Sequence, residues 1–199
     1  MPDLSSSSRK ALLELARKSI ESHFSPSPFP LPQGREGKSF FPPLPLGEGQ
    51  GEGMPAELNL KRGCFVTLYK LNKLRGCVGT FDATQPLSEN VIRIAASSAF
   101  QDTRFPSVEK SELGLLKIHI SVLGELKKMS SIEELEIGRH GVLVRYGSES
   151  GTYLPEVAVE MKWSVPEFIT RCAREKAGLT PSEIASAEVF LYEVEKFSE

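Results

Sequence analysis

Apolar residues recur along this chain at two different spacings, which separate the predicted helices from the predicted strands. Residues 9–24 repeat apolar side chains at helical spacing behind a run of serines, so they predict an amphipathic helix with a serine N-cap. A second helix is predicted to begin at Pro86-Leu87, because proline is accepted in a first turn. Ser131-Ile-Glu-Glu-Leu135 predicts a short capped helix, and residues 165–177 predict a fourth helix, which Gly178 ends.

Strands are predicted where apolar and polar residues alternate. Residues 64–69 and 74–80 predict an antiparallel hairpin that turns at Asn72-Lys73. Residues 116–123 and 188–197 alternate in the same way, and Gly141 introduces a further strand. The resulting order, α-β-β-α-β-α-β-α-β, favours an α+β protein with a mixed, largely antiparallel sheet flanked by helices over a doubly wound parallel sheet.

Residues 25–55 interrupt this pattern. They hold eight of the fourteen prolines and six of the sixteen glycines of the chain, and they contain a rough internal duplication. Such a segment has too few periodic apolar residues to offset its ordering entropy. We therefore predict one domain over residues 1–199 that carries a disordered Pro/Gly-rich insertion; a proline-rich ligand for a partner domain is the alternative interpretation.

Composition narrows the classes of function. A formal net charge of −2 makes a nucleic acid an unexpected partner, since such binding usually needs a strongly basic face. We expect no signal peptide, because the first residues lack a basic and an apolar region, and no membrane partner, because no apolar stretch has membrane-spanning length. Its three cysteines, with no C-x-x-C pair, indicate neither a disulfide framework nor a zinc site, and a reducing cytoplasm fits them best.

Cys77 is the first candidate for chemistry. Arg75 lies two residues earlier on the predicted strand and should share its face, where a guanidinium would favour the thiolate. Gly76 and Gly79 would let a ligand or another backbone approach closely. Three interpretations stay open: a buried core cysteine, a binding contact, and a nucleophile or redox thiol with Arg75 as its catalytic partner.

A second candidate lies in the loop after the second helix. Arg104 could hold a carboxylate or phosphate bidentately, or it could satisfy Asp102 and the carbonyls of the helix end. His119 could approach Cys77 if their strands pair. The histidines lack matching spacing, so no metal site is predicted. No feature of the sequence identifies a cofactor.

Several segments resemble the AMMECR family in the expected order. The most specific is Leu74-Arg-Gly-Cys-Val-Gly-Thr80, and the similarity also includes 61–68, 99–106, 120–123, 137–141 and 150–158. The resemblance implies a larger lobe with a mixed or antiparallel sheet, a smaller second lobe, and a cleft beside the Arg-Gly-Cys strand. Thr103 and Glu156 depart from the family pattern, which commonly has proline and glutamine there. Glu156 would add a negative charge to the implied cleft, which disfavours an anionic ligand there.

The family is grouped with Memo-type proteins and radical S-adenosylmethionine enzymes as the AmmeMemoRadiSam system, in which this chain resembles protein A. Two functions follow as expectations. One is an accessory module that binds a small ligand or a partner, such as a Memo-like protein, through residues 75–79, Asp102, Arg104 and Glu156. The other is an enzyme that uses Cys77 as a nucleophile or redox thiol and acts with Memo-like or radical S-adenosylmethionine partners.

Overall fold

The structure is a computed structural model that describes residues 4–25 and 55–199. Most of the proline- and glycine-rich segment lies outside the described residues, so its predicted disorder stays a prediction. The described chain divides into two compact units. We call Leu4–Ile120 with Phe197–Glu199 the N-terminal unit, and Ser121–Lys196 the C-terminal unit.

The predicted helices and strands are present, and the α+β class is confirmed. The α-helices of the described residues are α1 (Ser6–Ser22), α2 (Leu87–Phe100), α3 (Pro155–Glu160), α4 (Val165–Arg171) and α5 (Pro181–Ile184). The strands are β1 (Cys64–Lys70), β2 (Lys73–Thr80), β3 (Leu116–Leu123), β4 (Lys127–Lys128), β5 (Gly141–Tyr146), β6 (Glu149–Tyr153), β7 (Glu188–Tyr192) and β8 (Val194–Ser198). Short 3₁₀ helices occupy Ala56–Asn59, Lys110–Leu115 and Ile132–Glu134, and a π-helical turn spans Cys172–Lys176.

Helix α1 has the serine N-cap that its sequence predicts, since the Ser8 amide donates to the Ser5 hydroxyl at 3.3 Å, but it begins at Ser6, three residues before the predicted start. Its apolar stripe, which includes Leu12 and Ala16, is buried, as is the apolar side of α2. Helix α2 packs against both α1 and the β1–β2 hairpin. Since Val66 and Leu68 of β1 are fully buried on this side, the core of the N-terminal unit lies between the helices and one face of the sheet.

The first sheet has the strand order β2-β1-β3-β8, so β2 is an edge strand. The hairpin turns at Leu71-Asn72, where both residues have positive φ, of 49° and 62°. This is the pattern of a two-residue type I′ turn, whose twist matches that of the strands. The turn therefore lies one residue earlier than the sequence predicts.

A β-bulge in β2 sets the faces of the Arg-Gly-Cys motif. Tyr69 pairs with Leu74, but Leu68 pairs with Gly76, which leaves Arg75 as the extra residue. If Arg75 paired regularly with Leu68 and there were no bulge, Cys77 would pair with Val66 and point into the core, because a one-residue shift exchanges the faces of a strand. The bulge instead turns Gly76 toward α2 and Cys77 to the opposite face, where it pairs with Thr67.

The second sheet belongs to the C-terminal unit and has the order β4-β7-β5-β6. Its core holds Val142, Val144, Ala158, Phe168 and Cys172. The predicted strand over residues 188–197 is two strands, β7 and β8, which lie in different sheets. The predicted helix over residues 165–177 is also divided, since the π-helical turn follows α4. No helix within residues 4–25 and 55–199 is long and apolar enough to cross a membrane.

Candidate functional site

Cys77 is half-buried on the side of the sheet that faces away from α2. On β1, Cys64 and Val66 are fully buried, whereas Phe65 and Thr67 between and beyond them are partly exposed. The Cys77 sulfur lies 3.2 Å from the Thr67 hydroxyl oxygen, within hydrogen-bonding distance. Cys77 is therefore neither a fully buried core residue nor a freely exposed thiol.

The backbone of Cys77 is held from the open edge of the sheet by two side chains. Its N–H donates to Asp102 Oδ2 at 2.8 Å, and its carbonyl accepts from Arg104 Nη2 at 2.8 Å. Arg104 also donates to both oxygens of Asp102, at 2.9 and 2.7 Å. Asp102 and Arg104 together occupy the donor and the acceptor that a further strand would use, which protects an edge from unwanted pairing.

We call the paired Asp102 and Arg104 side chains the clamp. Their opposite charges largely neutralise each other beside Cys77. The hydrogen bonds from Arg104 hold the pKa of the Asp102 carboxyl far below its ordinary value, although burial acts in the opposite direction. The same pairing is the main cause that raises the pKa of Arg104, and the nearby Cys77 side chain adds to it. The Asp102 side chain is 6% exposed and that of Arg104 is 56% exposed. Arg104 Nη1 makes no hydrogen bond to a described residue, so it is the donor that the clamp can offer to a ligand.

Arg75 is engaged elsewhere. Its Nε and Nη2 donate to the two oxygens of Glu112 at 3.0 and 2.9 Å. Its Nη1 donates to the Pro106 carbonyl at 2.7 Å, and Nη2 also reaches the Ser107 carbonyl at 3.1 Å. No nitrogen of Arg75 hydrogen-bonds the Cys77 sulfur in the described part of the chain. The guanidinium that lies beside Cys77 is that of Arg104.

The space beside the two glycines is filled from within the protein. A Cβ on Gly76 would lie 2.1 Å from the Ser98 carbonyl oxygen, so this glycine allows the backbone of α2 to approach β2. A Cβ on Gly79 would lie 2.1 Å from the ring of Phe65. The sequence predicts that a ligand or another backbone enters here; at Gly76 it is a backbone, and at Gly79 it is a side chain.

The remaining candidates, His119 and Glu156, do not belong to the clamp. His119 is on β3, and β1 separates it from β2, so the predicted approach to Cys77 does not occur; its ring instead lies 4.7 Å from that of Tyr69. Glu156 belongs to the C-terminal unit, in the first turn of α3, and forms an ion pair with Lys196. No three His, Cys, Asp or Glu side chains of the described residues are grouped as metal ligands.

The sequence analysis missed three residues that contact the hairpin around Cys77: Glu112, Ser98 and Thr67. Glu112 binds Arg75 and is 7% exposed, and the spacing Glu109-x-x-Glu112, which forms a capping box, was the signal for it. Ser98 lies on the apolar side of α2, where its hydroxyl accepts from the Val78 amide and donates to the Val66 carbonyl. Thr67 could be found only by knowing the bulge, since it changes which residue pairs with Cys77.

These features define an α+β protein of two compact units, in which an edge strand carries an Arg-Gly-Cys motif held by an Asp–Arg pair. The AMMECR1 family model matches residues 13–197, and the chain belongs to this family.

Named relatives and a solved structure agree with this assignment. Protein MK0488 of Methanopyrus kandleri is 41% identical over 150 residues, which cover 70% of this chain and 72% of that protein. A Methanosarcina mazei protein is 32% identical over 196 residues, which cover 96% and 90% of the two chains. The crystal structure of the uncharacterized protein PH0010 from Pyrococcus horikoshii superposes with a TM-score of 0.78 at 32% identity, covering 98% of this chain and 93% of that one.

Proposed function

We propose that this AMMECR1-family protein is a non-catalytic accessory module that binds a small ligand or a partner protein on β2. Its recognition surface is the outward face of residues 74–79 with the Asp102–Arg104 clamp. One observation carries the proposal: the charged side chains that contact the Arg-Gly-Cys motif are already paired within the protein. Asp102 and Arg104 bind each other and the Cys77 backbone, and Arg75 binds Glu112.

The chemistry of the surface suggests the kind of ligand. Arg104 Nη1 is a charged donor on a side chain that is more than half exposed, and the Thr67 hydroxyl and the Cys77 thiol lie on the adjacent sheet face. A ligand that presents a carboxylate or carbonyl oxygen would match that donor. For a protein partner, a Memo-like protein and a radical S-adenosylmethionine protein are the candidates that the family resemblance implies. The three unpaired cysteines suit a reducing compartment such as the cytoplasm.

Protection of Cys77 from alkylation tests the proposed surface. The full chain would be treated with iodoacetamide in the presence of small carboxylates, nucleotides and thiols, one at a time. We expect at least one of them to slow modification of Cys77 saturably, and an Arg104→Gln variant to weaken that protection. If none of these compounds protects Cys77, while the isolated protein turns over a substrate and Cys77→Ala abolishes turnover, the non-catalytic proposal fails.

The second candidate is an enzyme with Cys77 as its nucleophile or redox thiol. It is favoured by the Thr67 hydroxyl 3.2 Å from the sulfur and by the Arg104 guanidinium nearby, since both could stabilise a thiolate. Against it, the charge of Arg104 is compensated by Asp102 at 2.7 Å. The turnover measurement on Cys77→Ala separates the two functions.

A further inference from the structure

The tip of the β1–β2 hairpin exposes a large apolar side chain in an unfavourable backbone conformation. Leu71 has φ of 49°, and its side chain is 72% exposed. Asparagine and glycine are preferred at this position of a type I′ turn, because a Cβ is crowded when φ is positive. Since an exposed Leu71 contributes little to the core, neither the turn nor the fold accounts for leucine here.

Two further exposed leucines lie at the same end of the sheet. Leu74, which follows the turn, is 42% exposed, and Leu115, at the end of the 3₁₀ helix Lys110–Leu115, is 48% exposed. The helix is fixed to the hairpin because Glu112 binds both Arg75 and Lys70. Leu115 ends this helix, one 3₁₀ turn after Glu112, and so lies within one turn of the residue that fixes the helix to the hairpin.

Lysines surround these leucines. Lys73, Lys110 and Lys117 are all exposed, and none of them makes an ion pair or hydrogen bond with any residue in the described ranges. Glu112, the buried carboxylate at this end, is already neutralised by Arg75 and Lys70. The result is a surface of exposed leucines among lysines that form no ion pair with a described residue. We call it the hairpin-tip surface; its residues are Leu71, Lys73, Leu74, Lys110, Leu115 and Lys117.

We propose that the hairpin-tip surface docks an acidic amphipathic segment of another protein. Apolar side chains of that segment would cover the leucines, and its carboxylates would meet the lysines. A second copy of this chain fits poorly because the lysine rims would repel each other. A lipid surface fits poorly because polar Asn72 stands at the apex of the turn, where an inserting tip needs apolar residues.

This inference extends the proposed ligand surface, with which the hairpin-tip surface shares Leu74, and depends on it only in assuming a binding role. Its residues tested below differ from Cys77 and Arg104, so either proposal can fail while the other holds.

A peptide selection on the full chain tests the docking proposal. Random dodecapeptides displayed on phage would be selected on the immobilised protein, and the enriched peptides synthesised for fluorescence anisotropy. We expect peptides that combine apolar residues with at least two acidic ones, and an affinity that falls as salt is raised. Binding should weaken at least tenfold in Leu71→Asn and in the double variant Lys73→Glu/Lys117→Glu.

Stability measurements and a control variant show whether a loss of peptide binding reflects a loss of structure. Leu71→Asn should not lower Tm, because asparagine accepts positive φ more readily than leucine does. Met161→Gln, which alters a side chain that is 57% exposed in the C-terminal unit, should leave peptide affinity unchanged. Enriched peptides without acidic residues, or peptides that bind Leu71→Asn as well as the unaltered chain, would overturn the proposal.

Two further measurements test whether a membrane or a second copy of this chain binds the hairpin-tip surface instead. Sedimentation with vesicles of phosphatidylcholine and phosphatidylserine, lost in Leu71→Asn, would assign the surface to a membrane and overturn the proposal. A dimer detected by light scattering and lost in the same variant would assign it to a second copy, with the same consequence. We expect the unaltered chain to remain in the supernatant and to show no Leu71-dependent dimer.

Discussion

Gly76 illustrates how closely single residues fix the geometry of the site. A Cβ at this position would meet the Ser98 carbonyl oxygen at 2.1 Å, and this oxygen belongs to helix backbone that cannot rotate away. Gly76→Ala should therefore force α2 from β2 and lower the free energy of unfolding by about 3 kcal/mol. Urea denaturation measures the change.

Gly114→Ala is the control, because nothing lies within 4 Å of a Cβ added there. It should leave stability unchanged or raise it by a few tenths of a kcal/mol, roughly the entropic gain expected from replacing glycine. Equal losses in the two variants would contradict the close approach of α2 at Gly76.

The sequence predicts the residues of the site better than their roles. Chemical type and spacing predict Cys77, Asp102 and Arg104 as site residues, and the structure joins them in one hydrogen-bonded group. Strand alternation predicts that Arg75 lies beside Cys77, but the Arg75 guanidinium binds Glu112, which lies 37 residues further along the chain. Alternation gives the side of a strand on which a residue lies; it does not give the partner that a long side chain reaches.

At the scale of elements, the Arg75–Glu112 pair joins the hairpin to the 3₁₀ helix Lys110–Leu115. The hydrogen bonds from Arg75, and then from Lys70, lower the pKa of Glu112 from 4.5 to about 2, although burial opposes them. The lowered pKa means that this stabilisation is fully present above pH 4.5 and is lost as pH falls toward 2. A shift of this size corresponds to on the order of 3 kcal/mol.

Glu112→Gln should consequently lower the free energy of unfolding at pH 7 by roughly 3 kcal/mol, since it leaves the buried Arg75 without its counter-charge. It should also flatten the pH dependence of stability between pH 4.5 and 2. Chemical denaturation across this pH range measures both effects. Glu160→Gln, which changes an exposed carboxylate, should retain the profile of the unaltered chain; a Glu112→Gln profile that matches it would refute the role of the pair.

The Asp102–Arg104 clamp makes a separate prediction for the edge of β2. Because the Cys77 amide donates to Asp102 at 2.8 Å, it should exchange its hydrogen slowly although no strand pairs with it there. Asp102→Ala should accelerate this exchange at least tenfold, as measured by NMR. Asp82→Ala, which removes a carboxylate that accepts from the Thr84 amide, should not affect Cys77. A Cys77 amide that exchanges rapidly in the unaltered chain would be incompatible with the clamp.

Most elements could be predicted from the sequence because their patterns are local. The hairpin of residues 64–80 and helices α1 and α2 follow from the alternation and the helical spacing of apolar residues. The bulge at Arg75 could not be predicted, since it depends on the approach of α2 to Gly76. The division of residues 188–197 into β7 and β8 was missed for a similar reason: one continuous alternation gives no sign that its halves join different sheets.

At the scale of the whole molecule, membership of the AMMECR1 family covers residues 13–197 and therefore includes both units. The three cysteines of the chain differ in burial. Cys64 and Cys172 are fully buried, and burial raises the pKa of each thiol to about 12, whereas Cys77 is partly exposed. Cys77 is thus the thiol that a reagent in solution can reach in the folded protein.

The rate at which iodoacetamide alkylates Cys77 at pH 7 tests the central claim most directly, namely that the polar groups around this residue hold β2 and do not activate its sulfur. Mass spectrometry would follow the three cysteines separately in the unaltered chain and in Arg104→Gln. We predict that Cys77 alone reacts, no faster than free cysteine, and that its rate changes less than about threefold in the variant. A Cys77 that reacts ten or more times faster than free cysteine, and slows when Arg104 is replaced, would contradict the account.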